Sequence, residues 1–206
     1  MTTVKICGIT RPEDAAAAAG LGADLLGVVF AAPSRRRVTL ARAEEIARAS
    51  EGSTRVGVFL EEPIDEILSA IERGGLSFVQ IQRPVTAEMV EAMPVPVIAA
   101  VRNVEELGAL PAAAFPGLRA VLLDDSRGGG TRGGWETVSA RPDVPVDLFV
   151  AGGLDPACVG FAIARLRPEG VDVASGVESS LGVKDAGRMQ RFIAAVREAE
   201  ADRAAG

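Results

Sequence analysis

The sequence predicts an α/β protein: one domain over residues 1–206, built as a single (β/α)8 barrel of eight parallel strands. Three observations carry this expectation. Apolar runs of strand length recur eight times, and helical patterns lie between them. Loops rich in glycine and serine, of the kind that accept a phosphate, follow the seventh and eighth runs. An open doubly wound sheet is the alternative, but that architecture more often keeps its phosphate loop after the first strand.

The strand runs are residues 4–8, 24–30, 55–60, 77–81, 95–101, 118–123, 146–151 and 171–174. They are continuous rather than alternating, as expected of parallel strands buried on both faces. Between them, Ile64, Ile67, Leu68 and Ile71 fall at helical spacing and predict one apolar stripe. Met189, Phe192, Ile193 and Val196 repeat that spacing in the last helix. Thr10 and Glu13 have the spacing of a capping box, with Pro12 suited to the first turn. Asp155 and Pro156 open the helix carrying Val159, Ile163 and Leu166 in the same way. The segment after the sixth run, residues 127–135, is rich in glycine and gives the weakest helical pattern.

Composition narrows the function. Of the 206 residues, 48% are hydrophobic and 24% charged, ordinary for a globular chain. A net charge of −6, with Arg35-Arg36-Arg37 as the one basic cluster, argues against a nucleic-acid surface. No apolar stretch reaches the length of a membrane span and no signal-peptide pattern is seen, so a cytoplasmic location is expected. Histidine is absent altogether, and Cys7 and Cys158 are too few and too far apart for a disulfide framework or a zinc site. No metal is expected. Acid–base chemistry must come from Cys, Asp, Glu or Lys.

Cys7 closes the first strand, where the C-terminal mouth of a barrel places its ligand. It reads either as a small buried hydrophobe or as a thiolate base or nucleophile. Cys158, in the first turn of a helix, reads as packing. Asp124 ends the sixth strand at the same mouth, and Asp125 competes with it for the role of acid. Gly152 and Gly153 allow a backbone to approach an anion closely, and Ser175 and Gly176 begin what the sequence reads as a short helix favouring phosphate. An arginine of the 35–37 cluster could clamp a carboxylate, and Gln80 at the end of the fourth strand could line the site floor. Trp135 could shield the site or pack beneath it.

Five segments together resemble the phosphoribosylanthranilate isomerase family: residues 4–10 (VKICGIT), 57–59 (GVF), 122–124 (LLD), 151–154 (AGGL) and 171–179 (VDVASGVES). Gly182-Val183-Lys184-Asp185 continues the match, which runs through nearly the whole chain in order. The resemblance implies a TIM barrel of the tryptophan pathway. It implies an Amadori rearrangement of N-(5-phosphoribosyl)anthranilate, with a small phosphoribosyl substrate and neither metal nor organic cofactor. By position, Cys7 is then similar to the family's general base, Asp124 to its general acid, and Arg36 to the arginine that holds the anthranilate carboxylate. Arg35 and Arg37 are left as surface charges. That chemistry asks for a raised pKa at Asp124 and a lowered one at Cys7.

Three stretches differ from the family pattern. Gln82 and Arg83 replace a histidine–glycine pair after the fourth strand, Val97-Ile98-Ala99-Ala100 stands where the fifth strand often carries a lysine, and Gly128 through Trp135 shorten a lysine-containing loop after the sixth. These changes are expected at the aromatic end of the substrate and its lid, where Arg83 or Arg132 would add a cation. An isomerase acting on another phosphoribosyl amine, or a phosphosugar-binding protein without catalysis, are the alternatives they raise. A monomer or a homodimer is expected.

Overall fold

A computed structural model describes residues 1–124 and 134–205. Asp125, Arg132 and the glycine-rich stretch 128–133, singled out above, lie outside the described residues. The strands β1 (Thr3–Ile6), β2 (Leu25–Val29), β3 (Thr54–Phe59), β4 (Phe78–Ile81), β5 (Val97–Val101), β6 (Leu118–Leu123), β7 (Asp147–Val150) and β8 (Gly170–Val173) close into a barrel in chain order. All neighbours run parallel, and β1 closes the ring by pairing with β8. Each strand lies within two residues of its expected bounds.

The alternation of each strand sorts its side chains into two cores. Val4 and Ile6 point outward into the shell between barrel and helices, so Lys5 and Cys7 point into the ring. Ala120 and Leu122 join the inner cluster with Val56, Ile98 and Phe149, which places Asp124 on the same inward row at the mouth. Gly170 leaves room for the Phe149 ring, since a Cβ there would lie 2.6 Å from it. The barrel interior is a packed core.

Among the described residues seven α-helices surround it: α1 (Pro12–Gly20), α2 (Leu40–Ala49), α3 (Ile64–Gly74), α4 (Ala87–Glu91), α5 (Val104–Ala109), α6 (Val159–Leu166) and α7 (Ala186–Ala205). Among the described residues, the β6–β7 connection carries only a 3₁₀ turn, Gly134–Thr137. In α7, Met189, Phe192, Ile193 and Val196 are buried as the spacing predicts, each worth about 1.5–3 kcal/mol of transfer free energy. In α3 only Ile67 of the predicted stripe is fully buried, joined by Ala70 and Gly74, while Ile64 stays exposed. No helix among the described residues is long and apolar enough to cross a membrane.

One local expectation gives way. Thr10 does not cap α1: its hydroxyl donates to the Gly182 carbonyl instead, and Arg11 occupies the N-cap position without a side-chain capping bond. The short helix expected from Ser175 is a single 3₁₀ turn, Ser175–Val177. The chain straightens at Glu178 because β9 (Glu178–Ser180) pairs antiparallel with β10 (Val183–Lys184). This hairpin crosses to the first unit, where the Lys184 amide donates to Asp14 (3.0 Å) beside the Thr10–Gly182 contact. Asp155 does cap its turn, accepting from the amides of Ala157 and Cys158.

Candidate active site

Cys7 follows β1, its amide bonded to the Val173 carbonyl of β8 (2.8 Å). Gly27 on β2 makes room for it: a Cβ there would stand 2.7 Å from the Cys7 sulfur. The thiol sits among Val29, Ala31, Val58 and Ala174. Burial in this apolar setting pushes its pKa up, and the charge of Asp172 adds to the effect. Lys5 and Lys184 oppose it. The direction is the reverse of the lowered value the chemistry asked for, because desolvation outweighs the cations.

Beneath Cys7, one inward position down β1, the Lys5 ammonium pairs with Asp172 of β8 at 2.8 Å, both side chains out of solvent. Burial opposes the charge on Lys5, but Asp172 and Cys7 outweigh it and hold the ammonium protonated. Among the described residues the second oxygen of Asp172 has no partner, and neither does the carbonyl oxygen of Gln80, which reaches the interior from β4. Burial raises the pKa of Asp172, and the nearby charge of Asp124 raises it further. Asp172 thus feels the groups at both ends of the predicted acid–base pair.

Arg36 leaves the loop after β2 and lies across Gly8, whose positive φ of 73° turns the chain beneath it. Its Nε and Nη2 donate to the two oxygens of Glu178, each at 2.7 Å. Lys184 donates to the same carboxylate at 3.0 Å. Burial works against the charge on Glu178, yet Arg36 and Lys184 hold its pKa below the ordinary carboxylate value. Arg35 and Arg37 are exposed, as expected of surface charges, and Arg37 donates to the Phe30 carbonyl.

The glycine loops after β7 and β8 pack on one another. Gly152 and Gly153 adopt positive φ (86° and 67°), and a Cβ on Gly176 would fall 2.0 Å from the Leu154 carbonyl. Trp135 is fully buried and donates its indole N–H to the Gly152 carbonyl (2.9 Å), so it supports this loop from below. Cys158 is buried at the start of α6, with its sulfur near the Gly153 and Asp155 carbonyls.

The structure therefore brings Cys7, Asp124, Arg36, Gln80, Gly152, Gly153, Ser175 and Gly176 to one end and the interior of the barrel. It turns Arg83 aside. That guanidinium donates to the Leu60 carbonyl and to the Met89 sulfur, in a groove lined by Ile64, Ile67 and Met93. A cavity of about 580 Å³ between α2 and α3, lined by Phe30, Phe59, Asp65 and Ser69, takes in Arg37 of the basic cluster but not Cys7, Asp124, Arg36 or the glycine loops. Among the described residues no group of three His, Cys, Asp or Glu side chains is placed to hold a metal ion.

Lys5, Asp172, Glu178 and Lys184 escaped the sequence reading. Lys5 and Asp172 carried a signal: a charge inside a strand buried on both faces must find a partner. Glu178 and Lys184 carried none, because only the β9–β10 hairpin brings them to Arg36.

Comparison with known proteins agrees with this geometry. The profile of a family described as N-(5'phosphoribosyl)anthranilate (PRA) isomerase matches residues 4–195. The N-(5'-phosphoribosyl)anthranilate isomerase of Pseudomonas aeruginosa is 40% identical over 206 residues, covering 97% of each chain. A crystal structure of the Thermotoga maritima phosphoribosyl anthranilate isomerase is similar at a TM-score of 0.84 and 33% identity, over 96% of this chain and 100% of that one. That enzyme is described as dimeric. A further isomerase structure, solved with reduced 1-(o-carboxyphenylamino)-1-deoxyribulose 5-phosphate, is similar at a TM-score of 0.80 and 32% identity, over 96% and 100%.

Proposed function

The chain belongs to the phosphoribosylanthranilate isomerase family, and from that premise we propose which of its residues carry the reaction. It is an isomerase of tryptophan biosynthesis that converts N-(5-phosphoribosyl)anthranilate to 1-(2-carboxyphenylamino)-1-deoxyribulose 5-phosphate. Asp124, entering protonated, donates to the ribose ring oxygen as the ring opens to a Schiff base. Cys7, as thiolate, takes the proton from C2 of the sugar. The enolamine left behind tautomerises to the ketone. One acid and one base suffice because the imine of the substrate is itself the electron sink.

One observation supports this assignment above the others. Cys7 and Asp124 end inward rows of β1 and β6, and the charge of Asp172 acts on Cys7 while that of Asp124 acts on Asp172. The base and the acid therefore share one interior. Lys5, Lys184 and Arg36 supply the positive surroundings in which a thiolate can form despite its burial.

The substrate lies with its phosphate on Gly152, Gly153, Ser175 and Gly176. The paired positive-φ glycines and the close packing of the two loops support that placement. Its sugar hydroxyls pair with the buried, otherwise unpartnered oxygens of Gln80 and Asp172. Its anthranilate carboxylate lies against Arg36. No observation favours a different amine, since Arg83 is committed to Leu60 and Met89.

Residues 1–206 act as one domain, as a monomer or homodimer in the cytoplasm. Two free, buried cysteines suit a reducing compartment. The test is a direct assay on phosphoribosylanthranilate, followed by the change in anthranilate fluorescence. Cys7→Ser and Asp124→Asn should each remove nearly all turnover. Near-normal rates in either variant would overturn its assigned role.

A further inference from the structure

The guanidinium of Arg36 has two faces to offer: a side edge, Nε with Nη2, and an end edge, Nη1 with Nη2. Glu178 takes the whole side edge with two bonds of 2.7 Å. Nη1 has no partner among the described residues, and the side chain keeps 13% of its surface exposed, enough to meet a ligand at that end. Lys184, by contrast, is 0% exposed and has no surface to give. Its ammonium is spent on Glu178 and the Ala174 carbonyl, both at 3.0 Å.

Charge counting gives the trio its sense. Arg36 and Glu178 alone would form a neutral pair, a poor receptor for an anion. Lys184 restores one net positive charge, and Arg36 is the most exposed member of the trio, at 13% against 6% for Glu178 and 0% for Lys184. One net positive charge matches one carboxylate.

We propose that Glu178 and Lys184 are positioning residues that fix Arg36 edge-on and set the net charge with which it selects a carboxylate-bearing amine. The proposal rests on the reading that Arg36 receives the anthranilate carboxylate. Glu178 locks the orientation of the guanidinium, and Lys184 keeps that lock from cancelling its charge. Both arrive on the β9–β10 hairpin, so the selectivity of the loop after β2 is set by the last unit of the chain.

The test compares KM and kcat on phosphoribosylanthranilate with those on phosphoribosylaniline, the same adduct without its carboxylate. With Glu178→Gln, KM for the anthranilate adduct should rise about tenfold or more, the scale of a charge-assisted hydrogen bond, while kcat falls less. KM for the aniline adduct should hold within about twofold, since no carboxylate recognition is at stake. Glu178→Asp, which keeps the charge, should recover part of the loss. Lys184→Met should reproduce the selective rise and carries the test if Glu178→Gln fails to fold. An equal rise on both substrates, or no rise on the first, overturns the proposal. Arg36→Met separates the two layers. If it raises KM on the anthranilate adduct alone but Glu178→Gln does not, only the positioning role falls. If it does not distinguish the substrates, the carboxylate reading of Arg36 falls and the proposal with it.

Discussion

Lys5 and Asp172 meet at the seam where β1 closes on β8, register partners 2.8 Å apart with neither charge in contact with bulk water. An ion pair so placed contributes little net stability when whole and costs much when broken, because the survivor keeps its desolvation penalty.

Lys5→Met should therefore destabilise the fold by about 3–5 kcal/mol, and Lys5→Met with Asp172→Leu should recover most of that loss. Urea unfolding of the single and double variants measures both. Equal stability of wild type and Lys5→Met would show that Asp172 finds another way to be neutralised.

The same lysine lowers the proton affinity of Cys7, against burial and Asp172. Removing it should move the pH midpoint of Cys7 alkylation upward, read by iodoacetamide kinetics in a Cys158→Ala background. An unchanged midpoint would mean that Lys184 and Arg36 carry the electrostatics of the site without Lys5.

Glu62 ties the loop that carries Arg36 to the end of β3, accepting from the amides of Ala32 (2.8 Å) and Leu60 (2.7 Å). Burial opposes its charge, but these amides win and its pKa is lowered. A carboxyl with a folded pKa below its unfolded value binds fewer protons when folded. Its stabilisation is complete above the unfolded value of about 4.5 and is lost as pH falls through the folded one. Glu62→Gln should cost about 1–2 kcal/mol at pH 7 and flatten the acid limb of the stability curve. Thermal unfolding from pH 3 to pH 7 would reveal a parallel limb if Glu62 contributes nothing.

Trp135 is the single tryptophan of the chain and bonds directly to the Gly152 carbonyl, so its fluorescence reports on the loop proposed to hold the phosphate. Inorganic phosphate should change its emission with a saturating dependence. Gly176→Ala should weaken both that response and phosphate inhibition, since a Cβ there meets a backbone carbonyl that cannot step aside. A response identical to that of the wild type would place the anion elsewhere.

The strands were legible because parallel strands inside a helical shell are apolar on both faces, and runs such as 118–123 admit few other readings. Strand ends then put Cys7 and Asp124 forward as candidates, with Asp125 beside them, and the resemblance implied their roles. Caps were harder: a capping Thr10 would accept from a helix amide, but in the fold its hydroxyl donates instead to a carbonyl 172 residues away. Arg36 was found without its partner for the same reason, since 142 residues separate it from Glu178. Alternation tells which way a side chain points, whereas the return of a hairpin onto the first unit is settled only by tertiary packing.

The sequence separation of 167 between Lys5 and Asp172 also orders events during synthesis. A nascent chain whose eighth strand is still inside the ribosome holds a lysine in its first strand without the counter-ion it has in the finished barrel, so an early closed ring would trap a bare charge. The half-made protein is thereby discouraged from sealing around fewer strands. The proposed proton-transfer centre comes into being only as the last strand docks.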